Sequence, residues 1–216
     1  MVAGATGLVG QAVLALLLAD KRYTAVHAVG RKAPGLQHPK LVVHLSKTFD
    51  DVRLPPIDDI FIALGTTIKA AGSQATFRAV DFDAVLAIAQ AARAAGASRL
   101  GVVSSMGADS QSSVFYNRVK GEMEAAVGAL GFTHVVVARP ALLLGDRAAL
   151  HQPQRAGEGL AVKILPWLSP LLPANYKPVD AAQVALALVG MLHTSQQALH
   201  VMLSGEIRKY GKFEAF

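Results

Sequence analysis

The segment GATGLVG, from Gly4 to Gly10, places three glycines three residues apart, directly after a short apolar start. A strand, a glycine turn and a helix in this order are typical of a dinucleotide-binding turn, because glycines let the backbone approach a pyrophosphate and the helix N-terminus presents free N–H groups. A turn that only packs a helix on a strand is the alternative. Only three residues precede Gly4, so we expect the first strand to be clipped, or to lack a few apolar residues upstream.

Length and hydrophobic patterning predict the fold class. The chain has 216 residues, of which 52% are hydrophobic and 17% charged, which suits one domain with a large core. Short apolar runs such as IFIAL (60–64) alternate with helix-like segments such as 8–19. This alternation predicts an α/β fold with a doubly wound parallel sheet, the Rossmann fold, with residues 1–216 forming a single NAD(P)-binding domain.

Charge and composition exclude several classes of function. The net charge of +6 is scattered along the chain, which disfavours a nucleic-acid partner and favours a small anionic ligand. There is no cysteine, and the seven histidines have no metal-ligand spacing, so no metal site is expected. No signal-peptide pattern and no membrane-length apolar run is present. We therefore expect a soluble cytoplasmic protein with no membrane partner.

The end of the second predicted strand bears on which cofactor binds. An NAD site usually has an acidic residue about 20 residues after the glycine turn, where it binds the ribose hydroxyls. Here Gly30 is followed by Arg31 and Lys32. Two cations pair well with the 2′-phosphate of NADP, although a solvated basic turn has the same sequence. The pattern predicts NADP (NADPH) rather than NAD.

The apolar run IFIAL leads into Gly65, Thr66 and Thr67 at the end of a predicted strand, where ligands lie in open α/β sheets. These small residues would let the adenosine side of a cofactor approach the backbone, although an ordinary strand-ending turn would look the same. Further along, Asp81 and Asp83 lie two residues apart, which places them on different faces of a helix. We expect capping or polar contacts from them rather than a catalytic acid pair.

The segment SSMGADSQSSVFYNRVKGEME contains the catalytic candidates. Tyr116 and Lys120 are four residues apart and share a face of a predicted helix, so the ammonium group favours ionisation of the phenol. Such a phenol can exchange a proton with a substrate oxygen. Ser104 and Ser105 end the preceding strand and should point to different sides. A tyrosine packed on a helix beside a solvated lysine is the alternative interpretation.

Six motifs together resemble one known family: GATGLVG, VGRK, ALGTT, VSSMGAD, YNRVKGEME and RPALLLGDR. The chain is similar to the atypical short-chain dehydrogenase/reductases, and among them to the small TIP30-like NADP-dependent oxidoreductases. The resemblance implies that Tyr116 donates or accepts the proton, with Lys120 as its partner. It also implies that Ser105 orients the substrate, with Ser104 as the alternative.

The resemblance further assigns residues to the cofactor. Thr6 to Val9 would line the pyrophosphate, Arg31 and Lys32 would contact the NADP phosphate, Leu143 would flank the nicotinamide, and Arg155 would lie near the cofactor. The complete expected cofactor set is Gly4, Thr6, Gly7, Leu8, Val9, Gly10, Arg31, Lys32, Leu64, Gly65, Thr66, Tyr116, Lys120, Leu143 and Arg155.

Two departures from the family narrow the expected substrate. The NNAG segment of many relatives is replaced by ALGTT, and the C-terminal substrate-side region, mainly 146–180, is short. A short region implies a small carbonyl or alcohol substrate rather than a sugar nucleotide. The leading hypothesis is an NADP(H)-dependent oxidoreductase. The alternatives are a non-enzymatic NADP(H)-sensing or scaffolding protein with a protein partner, and an isomerase or epimerase that uses a bound cofactor.

Overall fold

A computed structural model describes residues 1–46, 49, 54–145 and 172–213. The strands are β1 (Val2–Ala3), β2 (Val26–Gly30), β3 (Leu41–Leu45), β4 (Asp59–Ile62), β5 (Arg99–Val103), β6 (His134–Arg139), β7 (Leu143–Leu144), β8 (Val179–Asp180) and β9 (Leu199–Leu203). Seven of them form a parallel sheet in the order β3-β2-β1-β4-β5-β6-β9, and β7 pairs with β8 alone. The predicted doubly wound parallel sheet is confirmed.

The helices are α1 (Leu8–Ala19), α2 (Ile68–Ala71), α3 (Gln74–Arg78), α4 (Ala84–Ala94), α5 (Phe115–Gly128), α6 (Ala181–Thr194) and α7 (Ser204–Phe213). A π-helical turn, Ala79–Asp83, joins α3 to α4, and a 3₁₀ turn covers Ala174–Tyr176. The N-terminus of α6 is closed by Gln183, whose side-chain oxygen accepts from the Asp180 N–H at 3.2 Å. Within the described residues, no helix has the length and apolar character needed to cross a membrane.

The strands bury side chains on both faces, and alternate residues enter different cores. Val2 and Phe61 pack with α1 and α6, where Leu14, Leu17 and Leu188 are fully buried. The neighbouring strand residues Ala3, Ile60 and Ile62 enter the other core, with Ile88 of α4 and Met123 of α5. This two-residue alternation follows from the strand pleat. Each fully buried Leu or Ile contributes about 1.5–3 kcal/mol, so both helical layers hold the sheet in place.

A polar network lies at the end of the sheet where the strands begin. Asp59 is buried, and its carboxylate accepts from Arg99 Nε at 2.5 Å and from the Tyr23 hydroxyl at 2.6 Å. His193 Nε2 lies 2.8 Å from the same hydroxyl. Burial is the largest cause of the raised pKa of Tyr23, and the hydrogen bond to Asp59 is the second largest. Burial lowers the pKa of His193, although the nearby Asp59 carboxylate acts in the opposite direction. The network ties the starts of β4 and β5 to the C-terminal end of α6.

We expect Asp59→Ala to lower the free energy of unfolding by about 2 kcal/mol, because it removes the buried acceptor of the Tyr23 hydroxyl and of the partly exposed Arg99. Asp58→Ala is the matched control, since Asp58 is exposed and loses the same charge. Urea denaturation of both variants measures the difference. Equal losses from the two variants would show that the Asp59 network contributes nothing specific.

Candidate functional site

The strand order reverses between β1 and β4, and two adjacent cavities lie where these strands end. Gly4 follows β1 and Leu64 follows β4 by two residues. In open parallel sheets, ligands bind at such a reversal, outside the carboxyl ends of the strands. The fold therefore brings the glycine turn and the ALGTT segment to one crevice.

The three glycines of the turn have different surroundings. Gly4 has φ +83°, and a Cβ there would lie 2.6 Å from the Ala63 carbonyl oxygen. A Cβ on Gly10 would overlap the Gly4 carbonyl oxygen, so α1 packs directly on the turn. Gly7 is the N-cap residue of α1 and lines a cavity. The turn therefore needs glycine at the first and third positions for reasons of space, and its middle position faces the crevice.

The first cavity, here called the Tyr116 cavity, has a volume of about 190 Å³. It brings together ten residues that the sequence predicts: Gly7, Leu8, Val9, Leu64, Gly65, Thr66, Ser105, Tyr116, Lys120 and Leu143. Seven further lining residues were not among those assignments: Ala63, Asp81, Val103, Ser104, Pro140, Ala141 and Leu142. Of these, the sequence indicates Ser104 only as the alternative to Ser105.

Two serine hydroxyls of the Tyr116 cavity have no hydrogen-bond partner among the described residues. Ser104 Oγ and Ser105 Oγ are both buried and unpaired. The sequence predicts that these side chains point to different sides, but β5 ends at Val103, so the strand alternation does not extend to them and both line the same cavity. Buried hydroxyls are normally satisfied. Two unsatisfied ones beside a phenol and an ammonium group are suited to bind a polar ligand.

The loop after β5 holds Tyr116 near these serines. The Ala108 N–H donates to the Ser105 carbonyl at 3.2 Å, and the Asp109 N–H donates to the Asn117 carbonyl at 3.0 Å. These bonds fold the loop back over the first turn of α5. The Tyr116 ring packs against Phe77 of α3, with ring centroids 5.2 Å apart. The phenol is therefore positioned from two helices.

Lys120 is 3% exposed, and its Nζ lies 2.7 Å from Oδ1 of Asp81. Asp81 belongs to the π-helical turn and is fully buried, whereas Asp83 is exposed. The sequence places these two residues on different faces of a helix but does not reveal that Asp81 pairs with Lys120. That pairing joins residues 39 positions apart in a folded chain, and no local spacing pattern reports it.

The second cavity, here called the Arg31 cavity, has a volume of about 740 Å³. Its lining includes the expected residues Gly4, Thr6, Arg31, Lys32 and Leu64, together with Phe49, Ala79 and Val80, which the sequence did not indicate. Arg31 and Lys32 are exposed at the end of β2 and form no hydrogen bond or ion pair with another described residue.

Phe49 also lines the Arg31 cavity in an uncommon backbone conformation. Its φ is +66°, a left-handed value that is costly for a bulky side chain. Its N–H donates to Ser46 Oγ at 3.0 Å, and its side chain is buried. Residues in such conformations cluster at ligand sites.

Two predicted cofactor residues do not line either cavity in the described part of the chain. Gly10 lies inside α1 against Gly4. Arg155 lies outside the described residues, as does most of the predicted substrate-side segment 146–180.

A family model described as NAD(P)H-binding matches residues 4–160. The chain belongs to this NAD(P)H-binding family. Two solved structures share its fold at low sequence identity. MoeE5 in complex with UDP-glucose and NAD has a TM-score of 0.69 and 15% identity over 99% of this chain and 81% of its own. The human epimerase family protein SDR39U1 with NADPH has a TM-score of 0.61 and 20% identity over 94% of this chain and 72% of its own.

A curated relative corrects one expectation about this NAD(P)H-binding protein. The mitochondrial protein FMP52 of Meyerozyma guilliermondii is 34% identical over 97% of this chain and 93% of its own length. FMP52 proteins of other fungi are also named as mitochondrial. The expectation of a cytoplasmic location is therefore wrong, because it rested on the absence of recognisable targeting patterns and not on a positive signal.

We expect Gly10→Ala to lower the free energy of unfolding by about 2 kcal/mol or more and to weaken binding of NAD(P)H, because the new methyl group forces α1 away from the turn. Gly128→Ala is the matched control, since Gly128 ends α5 with open space around its Cα. The control should be neutral or stabilising by up to about 1 kcal/mol. Urea denaturation and fluorescence titration with NADPH measure both effects. Unchanged stability and binding in Gly10→Ala would contradict the close packing.

Proposed function

We propose that the protein is an NADP(H)-dependent oxidoreductase acting on a small carbonyl or alcohol compound, with Ser105, Tyr116 and Lys120 as its catalytic residues. The observation that carries this proposal is the Tyr116 cavity. Two buried hydroxyls that have no partner among the described residues, a phenol and a buried ammonium group surround one small volume beside the glycine turn. A substrate carbonyl oxygen would satisfy the two hydroxyl donors.

The residues of the crevice fit a nicotinamide dinucleotide. No described side chain caps the first turn of α1, and Gly7 at its N-cap opens to the Tyr116 cavity, which suits a pyrophosphate. The Arg31 cavity would hold the adenosine half, and Leu143 would lie beside the nicotinamide half. Leu64 lines both cavities, which supports one continuous site for a two-part ligand.

When bound, the nicotinamide supplies the hydride chemistry, in which the carbonyl carbon gains two electrons and a hydrogen from C4. The residues of the chain supply the rest. Ser105 Oγ donates a hydrogen bond to the substrate oxygen and orients it. Tyr116 transfers its hydroxyl proton to the same oxygen, so a carbonyl becomes an alcohol, and alcohol oxidation reverses each step. Lys120 stabilises the phenolate that remains.

The basic pair at the end of β2 supports NADP as the cofactor. Arg31 and Lys32 lie on the wall of the Arg31 cavity with no anionic partner among the described residues. A 2′-phosphate would pair with them, and Arg can bind it in a bidentate manner. The names of the FMP52 relatives support a mitochondrial location for the chain.

We expect Tyr116→Phe to lower kcat by about 100-fold or more, because the variant lacks the transferable proton. The measurement is NADPH oxidation with a panel of carbonyl compounds, alongside NADPH binding by fluorescence. Tyr176→Phe is the matched control, since Tyr176 is exposed in the 3₁₀ turn. Binding should be retained in both variants.

Tight binding of NADPH by the native chain without turnover of any carbonyl or alcohol would favour a sensing or scaffolding protein. Interconversion of stereoisomers without net oxidation of NADPH would favour an epimerase. Full activity of Tyr116→Phe would remove Tyr116 from the proposed chemistry.

We expect Arg31→Ala to raise the Kd for NADPH by about tenfold, while the Kd for NADH changes little, because only NADPH loses a charge-assisted contact. Lys21→Ala is the matched control, since it removes the same charge from an exposed position outside both cavities. Isothermal titration with each cofactor measures the constants. An equal loss of affinity for both cofactors would contradict the assignment of Arg31 to the 2′-phosphate.

A further inference from the structure

We propose that Asp81 is a positioning residue that holds Lys120 and sets the balance of charge around the Tyr116 phenol. This inference rests on the proposed function of the Tyr116 cavity and adds a residue that none of the motifs identifies. Asp81 acts through Lys120, and the chemistry itself stays with Ser105 and Tyr116.

Both carboxylate oxygens of Asp81 are engaged from different elements. Oδ1 lies 2.7 Å from Lys120 Nζ in α5, and Oδ2 accepts from the Thr66 N–H at 2.8 Å. A Cβ on Gly65 would lie 3.3 Å from Oδ1 and 3.7 Å from Lys120 Nζ, so the backbone after β4 covers the pair. Oδ1 forms no hydrogen bond with a described residue in addition to this ion pair, so the attraction between the two buried charges orients the ammonium group. The ammonium group of Lys120 is therefore held at a defined place.

The charges around the phenol come from a small set of groups. Among the described residues that line the Tyr116 cavity, the titratable side chains are Asp81, Tyr116 and Lys120. The cation alone would favour the phenolate, whereas the carboxylate beside it offsets part of that effect. In carbonyl reduction Tyr116 must carry its proton before it donates it. Asp81 therefore offsets part of the positive charge that Lys120 places beside the phenol.

The hydrogen-bonding capacity of Lys120 leads to the same conclusion. An ammonium group has three N–H donors. With the ion pair to Asp81 on one side of the ammonium group, N–H donors remain for the hydroxyls of the ribose and for the phenol. Without Asp81, the ammonium group would lose its fixed direction, and its contacts with the cofactor and the phenol would be made less often.

The π-helical turn explains how one residue reaches this position. Ala79 and Val80 line the Arg31 cavity, while the next residue, Asp81, lines the Tyr116 cavity. π-Helical turns interrupt α-helices mostly at functional sites. Because the turn forms part of the wall of both cavities, the position of Lys120 is tied to the same backbone that meets the adenosine half of the ligand.

The test compares Asp81→Asn with the matched control Asp83→Asn, which removes the same charge from an exposed position of the same turn. We expect Asp81→Asn to lower kcat by about tenfold while KM changes by less than about threefold. The basic limb of the pH profile for carbonyl reduction should move to lower pH, because the uncompensated cation favours the phenolate. Asp83→Asn should match the native chain in each measurement.

A second measurement does not depend on turnover. Ultraviolet absorbance reports phenolate formation, and the difference from the Tyr116→Phe variant isolates Tyr116. In Asp81→Asn this titration should also move to lower pH, whereas in Asp81→Glu it should stay close to that of the native chain, because the negative charge is kept. Asp81→Glu also provides the test if Asp81→Asn does not fold.

Three outcomes would overturn the proposal. The first is a lower free energy of unfolding in Asp81→Asn with an unchanged pH profile and an unchanged Tyr116 titration, which is what a purely structural ion pair predicts. The second is a Tyr116 titration that moves equally far in Asp81→Glu and in Asp81→Asn. The third is a Tyr116 titration that moves as far in Asp83→Asn as in Asp81→Asn. If the native chain shows no turnover, the oxidoreductase proposal fails, while the phenol titration still decides the role of Asp81.

Discussion

The contact between Gly4 and Gly10 is the constraint on which the rest of the site depends. The backbone of α1 lies against the carbonyl of Gly4 with no room for a methyl group, and Gly4 itself lies against Ala63 at the end of β4. Three elements therefore meet through backbone atoms alone. These contacts lie beside the crevice where the strand order reverses, and both cavities line that crevice.

The two ends of the sheet use buried charge in different ways. At the edge where the strands begin, Asp59 is satisfied by Arg99 and Tyr23, and the network joins strands to helices far from either cavity. At the opposite edge, Asp81 and Lys120 form a pair that lines the Tyr116 cavity, next to two serine hydroxyls without partners. A fully satisfied network stabilises the fold, whereas a pair beside unsatisfied hydroxyls is suited to chemistry.

Local patterns predict much of this architecture, and long-range contacts account for what they miss. The apolar segment 8–19 has the bounds of α1, and the apolar run 60–64 contains most of β4. The helical pattern over 73–95 indicates one helix, but the π-helical turn divides it, and the buried Asp81 of that turn has its partner 39 residues away. The helix α7 is missed because Gly205 and Gly211 lower helix propensity. Phe49 has no pattern around it that would place it on a cavity wall.

Leu64 contacts both halves of the crevice, whereas Arg31 and Lys32 line the Arg31 cavity alone. A substitution at Leu64 therefore alters the walls of the Tyr116 cavity and the Arg31 cavity together. Selection cannot act on the shape of one cavity at this position without changing the other. Changes at the end of β2 leave the lining around the serines, the phenol and the ammonium group intact. If Arg31 and Lys32 bind the 2′-phosphate as proposed, the choice of dinucleotide is a separable trait in this fold, free to diverge while the residues of the Tyr116 cavity stay the same.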